Sequence, residues 1–314
     1  MGVRTNQNRW FTSVGGRRRL TERGREAVAG YAFASPWLAG LLVLTVVPAL
    51  SSFYFSFTEY PLVKPPSFVG TQNYQQLFTA DPRFVQAIGN TAFMVVLGVP
   101  LNMVCGLAVA LLLNQKLRGL AVYRTVFFLP SQISGVALAL LWGWILNPQF
   151  GIVARALGLV GIQAPLWLAD PDWVKPAFVI MGLWHVGSSM IIWLAGLQSI
   201  PDAFYEAAQI DGAGRWHRFR RITLPLLTPT VFFTLTTGII GSFQIFTQAF
   251  VLTGGGPNDA SLFYALYIYQ QAFQFFQMGY AAALAWVLFT IVLTLTLVNL
   301  RFARSWVYYE TVKE

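Results

Sequence analysis

Covalent chemistry has little to work with in this chain of 314 residues. It holds one cysteine, Cys105, and two histidines, His185 and His217, too few for an internal disulfide framework or a multi-cysteine metal site. Lys64, Lys116, Lys175 and Lys313 follow Val, Gln, Val and Val, so no lysine completes a Gly-x-x-x-x-Gly-Lys-Ser/Thr phosphate loop. There is no HExxH, the carboxylates stand outside the long apolar runs, and neither histidine has an obvious carboxylate partner. No catalytic residue, metal ligand or cofactor is therefore expected. What remains is recognition by neutral polar side chains. Gln244 and Gln248 are four apart and would share a helical face, with Phe246 and Thr247 nearby; Trp184 with Ser188, and His185 with Ser189, repeat that spacing. Ser131 and Gln132 lie early in another apolar run. Amides and hydroxyls in such places can bond a polar solute while aromatic faces cover its apolar side. They can equally bond a neighbouring helix, and His185 and Cys105 read as such packing residues.

The elements that must position these groups follow from where charge is missing. Apolar residues make up 56% of the chain and charged residues 11%, against roughly 25% charged in a soluble domain. Segments 27–58, 84–115, 125–154, 176–201, 222–258 and 260–300 contain no Asp, Glu, Lys or Arg. A bilayer core takes about 20 apolar residues as a helix, so each segment can hold one span. Six transmembrane helices are predicted, with cores at 31–55, 87–113, 126–146, 176–197, 228–252 and 279–300. The runs lack the short alternation of a membrane barrel, so the fold class is all-α. Pro36 and Pro48 predict a kink in the first span. The triplet Arg17-Arg18-Arg19 is separated from the apolar run by further charges, and that run is too long for a signal peptide, so the first helix is expected to be retained.

Of the 21 Lys and Arg residues, only Lys64, Arg83, Arg155 and Lys175 fall in the connections at 59–83 and 147–175. The others occupy the N-tail, the second-to-third and fourth-to-fifth connections and the C-tail. By the positive-inside rule both termini are cytoplasmic, and the net charge of +9 reflects topology rather than nucleic-acid binding. The expected organisation is a basic N-tail (1–28), a membrane domain (29–300) and a C-tail (301–314).

The fourth-to-fifth connection, 199–225, is the most distinctive segment. Pro201 suits a first helical position, Asp202 its positive end, and Gly212 a stop and turn. A second helical run follows, with Trp216, Phe219 and Ile222 on one face, Arg215, Arg218 and Arg221 on the next stripe, and Leu224-Pro225 ending it. This is an amphipathic hairpin at the membrane surface, either anchored on lipid or docked in a protein groove. The small pair Ala207-Ala208 beside Glu206, and the glycine turn, suit the groove.

That segment resembles the EAA loop of permease subunits of binding-protein-dependent ATP-binding-cassette importers, in the branch that includes maltose and other carbohydrate permeases and glycerol-phosphate permeases. The likeness rests on Glu206-Ala207-Ala208, Asp211-Gly212-Ala213, Phe219, Ile222 and Leu224-Pro225. Gly70 with Asn73-Tyr74, Asn90-Thr91, Arg124-Thr125, Leu129-Pro130, the run LTGGGP ending at Pro257, and Gly279-Tyr280-Ala281 add to it over about residues 30–300. The resemblance implies a type I importer permease architecture in a prokaryotic inner membrane. Glu206, Ala207, Ala208, Asp211, Gly212, Ala213 and Phe219 would couple to a separate ATPase dimer. A second permease and an extracytoplasmic solute-binding protein would complete the assembly, and Gln244, Gln248, Phe246, Trp184 and Ser188 would line the path of a sugar-like solute. A secondary carrier for a neutral solute, or the same importer class carrying glycerol phosphate, are the alternatives.

Overall fold

The structure is a computed structural model that describes residues 22–115 and 118–308. Most of the expected N-tail, Lys116 and the end of the expected C-tail lie outside the described residues. The chain forms two units, Met1–Ser52 and Phe53–Glu314. The described part of the first belongs to helix α1 (Glu22–Phe55), whose apolar stretch Glu26–Phe55 ends just inside the second. Within the second unit, β1 (Thr58–Glu59) pairs antiparallel with β2 (Ser67–Phe68), and α2 (Gln72–Thr79) follows. Next come α3 (Pro82–Leu113), α4 (Leu120–Gln132), α5 (Gly135–Ile145), α6 (Ile152–Leu159), α7 (Pro171–Trp184) and α8 (Val186–Gln198). The hairpin is α9 (Asp202–Ile210) and α10, which starts as Arg215–Arg218 and continues through Phe219–Thr223 to Leu224–Leu226. Helices α11 (Thr228–Ser242), α12 (Thr247–Leu252), α13 (Tyr264–Tyr269) and α14 (Met278–Trp306) complete the fold.

Among the described residues, four stretches are long and apolar enough to cross a membrane: Glu26–Phe55, Pro82–Leu113, Thr228–Leu252 and Met278–Ala303. The other two expected spans are bent pairs, α4 with α5 at 100° and α7 with α8 at 49°. Local chemistry sets the starts. Asp81 and Asp170 each precede a proline at the first helical position, and their carboxylates accept the Phe84 and Asp172 amides at 3.1 and 2.9 Å.

Proline also explains three π turns, Leu42–Val46, Met94–Gly98 and Phe219–Thr223, each ending two residues before Pro48, Pro100 or Pro225. In each, the residue preceding proline donates to the carbonyl five back: Val47 to Leu42, Val99 to Met94, Leu224 to Phe219. The wider turn makes room for a ring that would strike the carbonyl four back. Leu224-Pro225 therefore does not end the second hairpin helix, contrary to expectation; the helix runs on to a turn at Leu227. The π turn also spoils the three-residue stripe, and Arg218 is half-buried while Arg215 and Arg221 stay exposed.

The buried side chains form two clusters. One, toward the 59–83 connection, includes Phe84, Trp142, Phe178, Phe263, Tyr264 and Leu284. The other, toward the hairpin, includes Ala110, Met190, Trp193, Leu197 and Leu227. Lipid-facing helices gain little from apolar burial against each other, so close approach by small residues matters more. A Cβ on Gly106 of α3 would stand 2.7 Å from Ser189 Oγ on α8. The span interruptions also meet: a Cβ on Gly187 would lie 2.2 Å from the Phe127 carbonyl of α4, and one on Gly135 at the start of α5 would touch Thr247 at the start of α12.

Candidate functional site

The hairpin is shaped by its backbone. Gly212 has φ of 76°, donates to the Gln209 carbonyl at 3.0 Å, and Ala213 donates to Ala208 at 2.8 Å. This pair of bonds is a Schellman stop, which needs a left-handed residue at the Gly212 position. The arms are tied by a 3.0 Å bond between Tyr205 Oη and Thr223 Oγ1. Glu206, Ala207 and Asp211 are exposed, Ala208 and Ala213 half-buried. Apolar surface sits beside them: Ile210 is 88% and Trp216 71% exposed, while Phe219 is half-buried and stacks on Trp216 at 5.6 Å. Glu206 forms no ion pair among the described residues. The end of the first arm and its turn thus present small, acidic and apolar groups, while the second arm exposes Arg215, Arg220 and Arg221.

Between the spans lies a cavity of about 450 Å³, with walls from α3, α7, α8 and the fifth span. Gln248 and Ser188 line it; Gln244, Phe246 and Trp184 do not. The shared face expected for Gln244 and Gln248 does not form, because helical bonding lapses between Phe243 and Phe246 and the i, i+4 relation is lost. Gln244 is exposed, Phe246 stacks on Phe250 at 5.4 Å, and Trp184 packs edge-on against Trp142 at 5.6 Å. Likewise the bend at His185 separates Trp184 from Ser188. His185 and Ser189, read as a same-face pair, both reach the cavity. Gln248 and His185 also border a smaller cavity of about 100 Å³.

Asn102 and the hydroxyls of Thr234, Thr237 and Ser242 line the cavity too and were not foreseen. Asn102 Nδ2 donates to the Gly182 carbonyl at 3.1 Å, and its Oδ1 accepts from Ser189 at 3.0 Å. Gly182 lies just before the α7/α8 bend, where a carbonyl in an apolar medium needs an outside partner. A lone amide in an apolar run was the available signal. The three hydroxyls donate to carbonyls of their own helix, Thr234 to Thr230, Thr237 to Phe233 and Ser242 to Gly238, leaving lone pairs for the cavity.

Asn90, Thr91 and Tyr280 belong to a polar network at the end of the bundle opposite the hairpin, whereas Arg124 donates to the Leu113 carbonyl at the hairpin end. Arg83 makes a bidentate pair with Asp259 at 2.9 Å and a 3.0 Å bond to Gln270. Asn90 Nδ2 donates to the Asp259 and Leu262 carbonyls, and Thr91 Oγ1 accepts the Tyr264 amide at 3.0 Å. Asp81 accepts from both Tyr267 and Tyr280. Burial, and then that bond to Asp81, push the Tyr267 phenol above the ordinary tyrosine range. These bonds strap the loop after LTGGGP onto α3.

A family model described as "Binding-protein-dependent transport system inner membrane component" matches residues 77–306. The chain belongs to this family. It is 43% identical over 294 residues to the probable ABC transporter permease protein YesP of Bacillus subtilis, covering 92% of this chain and 95% of that one. It is 36% identical over 286 residues to the lactose transport system permease protein LacF of Rhizobium radiobacter, covering 88% and 95%. Among solved structures, a bacterial alginate ABC transporter in complex with an alginate pentasaccharide-bound periplasmic protein superposes with a TM-score of 0.79 at 25% identity, over 90% of this chain and 96% of that one. The permease has the type I importer fold and is a transport subunit rather than an enzyme.

Proposed function

We propose that the permease carries a saccharide through the cytoplasmic membrane, driven by a separate ATPase that grips the 199–225 hairpin. The exposed groups Glu206, Ala207, Ile210 and Trp216 carry this reading: small, acidic and apolar, and held by a Schellman turn, they suit a protein groove, with the exposed Arg215, Arg220 and Arg221 on the second arm. A carbohydrate cargo is supported by the lactose permease and the alginate transporter among its relatives. The alginate complex also supports delivery by a periplasmic binding protein. A second permease and an ATPase dimer would complete the assembly. The positive-inside bias supports a cytoplasmic hairpin end, with both tails on that side and residues 29–300 as the membrane domain. Gln248 and Ser188, joined by Asn102 and His185, would contact the passing solute.

The test is to tag the chain in its native host, extract it in mild detergent and identify stoichiometric partners by mass spectrometry, with uptake assayed in parallel. A phosphate-loop ATPase and a second permease are expected with the natural chain. Gly212→Trp, which forces a bulky residue into a left-handed position, and Glu206→Lys should both abolish ATP-driven uptake while the protein still inserts. Normal transport by both variants would overturn the coupling assignment.

A further inference from the structure

A further cavity, of about 370 Å³, opens at the end of the bundle opposite the hairpin, among the β1–β2 ribbon, α2 and the turn leading into α14. Tyr60, Phe275 and Phe276 give it aromatic surface, and Glu59, Gln72 and Gln76 give it a carboxylate and two amides. Gln72 and Gln76 are one helical turn apart on α2 and so share a side. The walls are fixed before anything binds. Asn73 Nδ2 donates to the Ser56 and Thr58 carbonyls at 2.9 Å each, and the Met278 amide donates to Tyr60 at 2.9 Å.

Phe276 is the unexpected member. Its φ is 55°, a left-handed conformation that a bulky residue seldom adopts. Yet its side chain is 54% exposed, so burial does not explain why phenylalanine occupies a position better suited to glycine. Strained backbone that presents an exposed ring beside polar groups points to ligand contact. The lining narrows the ligand. A purely apolar one would leave Glu59, Gln72 and Gln76 without partners, and a simple cation would have no use for the rings. A pyranose satisfies both, with C–H faces for the aromatics and hydroxyls for the carboxylate and amides.

We propose that this cleft is a saccharide-binding site at the mouth of the permease, separate from the central cavity; the assignment rests on the carbohydrate reading above. Its test uses the complete importer with its binding protein, reconstituted in liposomes and offered radiolabelled lactose, trehalose, maltose and maltotriose. Phe276→Gly removes the ring while relieving the backbone. It should cut uptake at saturating loaded binding protein about tenfold, the effect of losing roughly one good ring contact. Phe276→Trp, which keeps an aromatic face, should retain uptake, and binding-protein-stimulated ATP hydrolysis should be unchanged in both. Unchanged uptake in Phe276→Gly overturns the proposal. Joint loss of uptake and of ATPase stimulation overturns it in favour of a contact with the binding protein. A natural importer that accumulates none of these sugars removes the carbohydrate reading and this site with it, a result independent of the variants.

Discussion

At the scale of residues, the central cavity separates two glutamines that look equivalent in the sequence. Gln248 lines the central cavity and the smaller one beside it, whereas Gln244 is exposed within the break in the fifth span. Gln248→Ala should raise the half-saturation concentration for uptake by about threefold to tenfold, the cost of one polar contact, with Gln244→Ala unchanged; transport kinetics on the two variants decide it. The turn at Gly212 was legible because helix-stop chemistry is local: one glycine and the few residues before it define the motif. Gln244 was misplaced because face-sharing presumes an unbroken helix, and nothing in an apolar run fixes where it breaks. Asn102 went unread because its partner, the Gly182 carbonyl, is 80 residues away.

At the scale of elements, absence of charge located the spans well, since a charge in hydrocarbon is costly wherever it falls. It said nothing about the 100° bend between α4 and α5 or the 49° bend at His185. In uniformly apolar runs the 3.6-residue pattern has no contrast, so interruptions leave no trace in hydropathy. Their positions become intelligible in packing, where Gly187 lets the start of α8 meet the backbone of α4. Gly187→Val puts carbon where the Phe127 carbonyl stands and should destabilise the protein by about 1–3 kcal/mol, as overpacking does. Thermal unfolding of the detergent-solubilised permease measures this. Gly182→Val, with no atom within 4 Å of its Cβ position, serves as the control.

At the scale of the whole second unit, both ends have apolar packing but only one adds a polar strap. The hairpin end packs around Trp193 and Leu227; the opposite end packs around Phe263 and Tyr264 and adds the hydrogen bonds of Asn90 and the Arg83–Asp259 ion pair. Arg83 and Asp259 are each about one-third exposed, 33% and 36%, so their pairing contributes about 1 kcal/mol or less. A double-mutant cycle of Arg83→Ala and Asp259→Ala, read by melting temperature, should return a coupling of about that size. High salt should weaken it. The hairpin end contains a contrasting joint. Leu227 is fully buried, accepts the Val231 amide, and is the only residue between the end of α10 and the start of α11. Its own amide donates to the Thr223 carbonyl, so helical bonding passes from the hairpin into α11 without a gap. A displacement of the hairpin would travel along α11 to Thr234, Thr237 and Ser242 in the cavity wall.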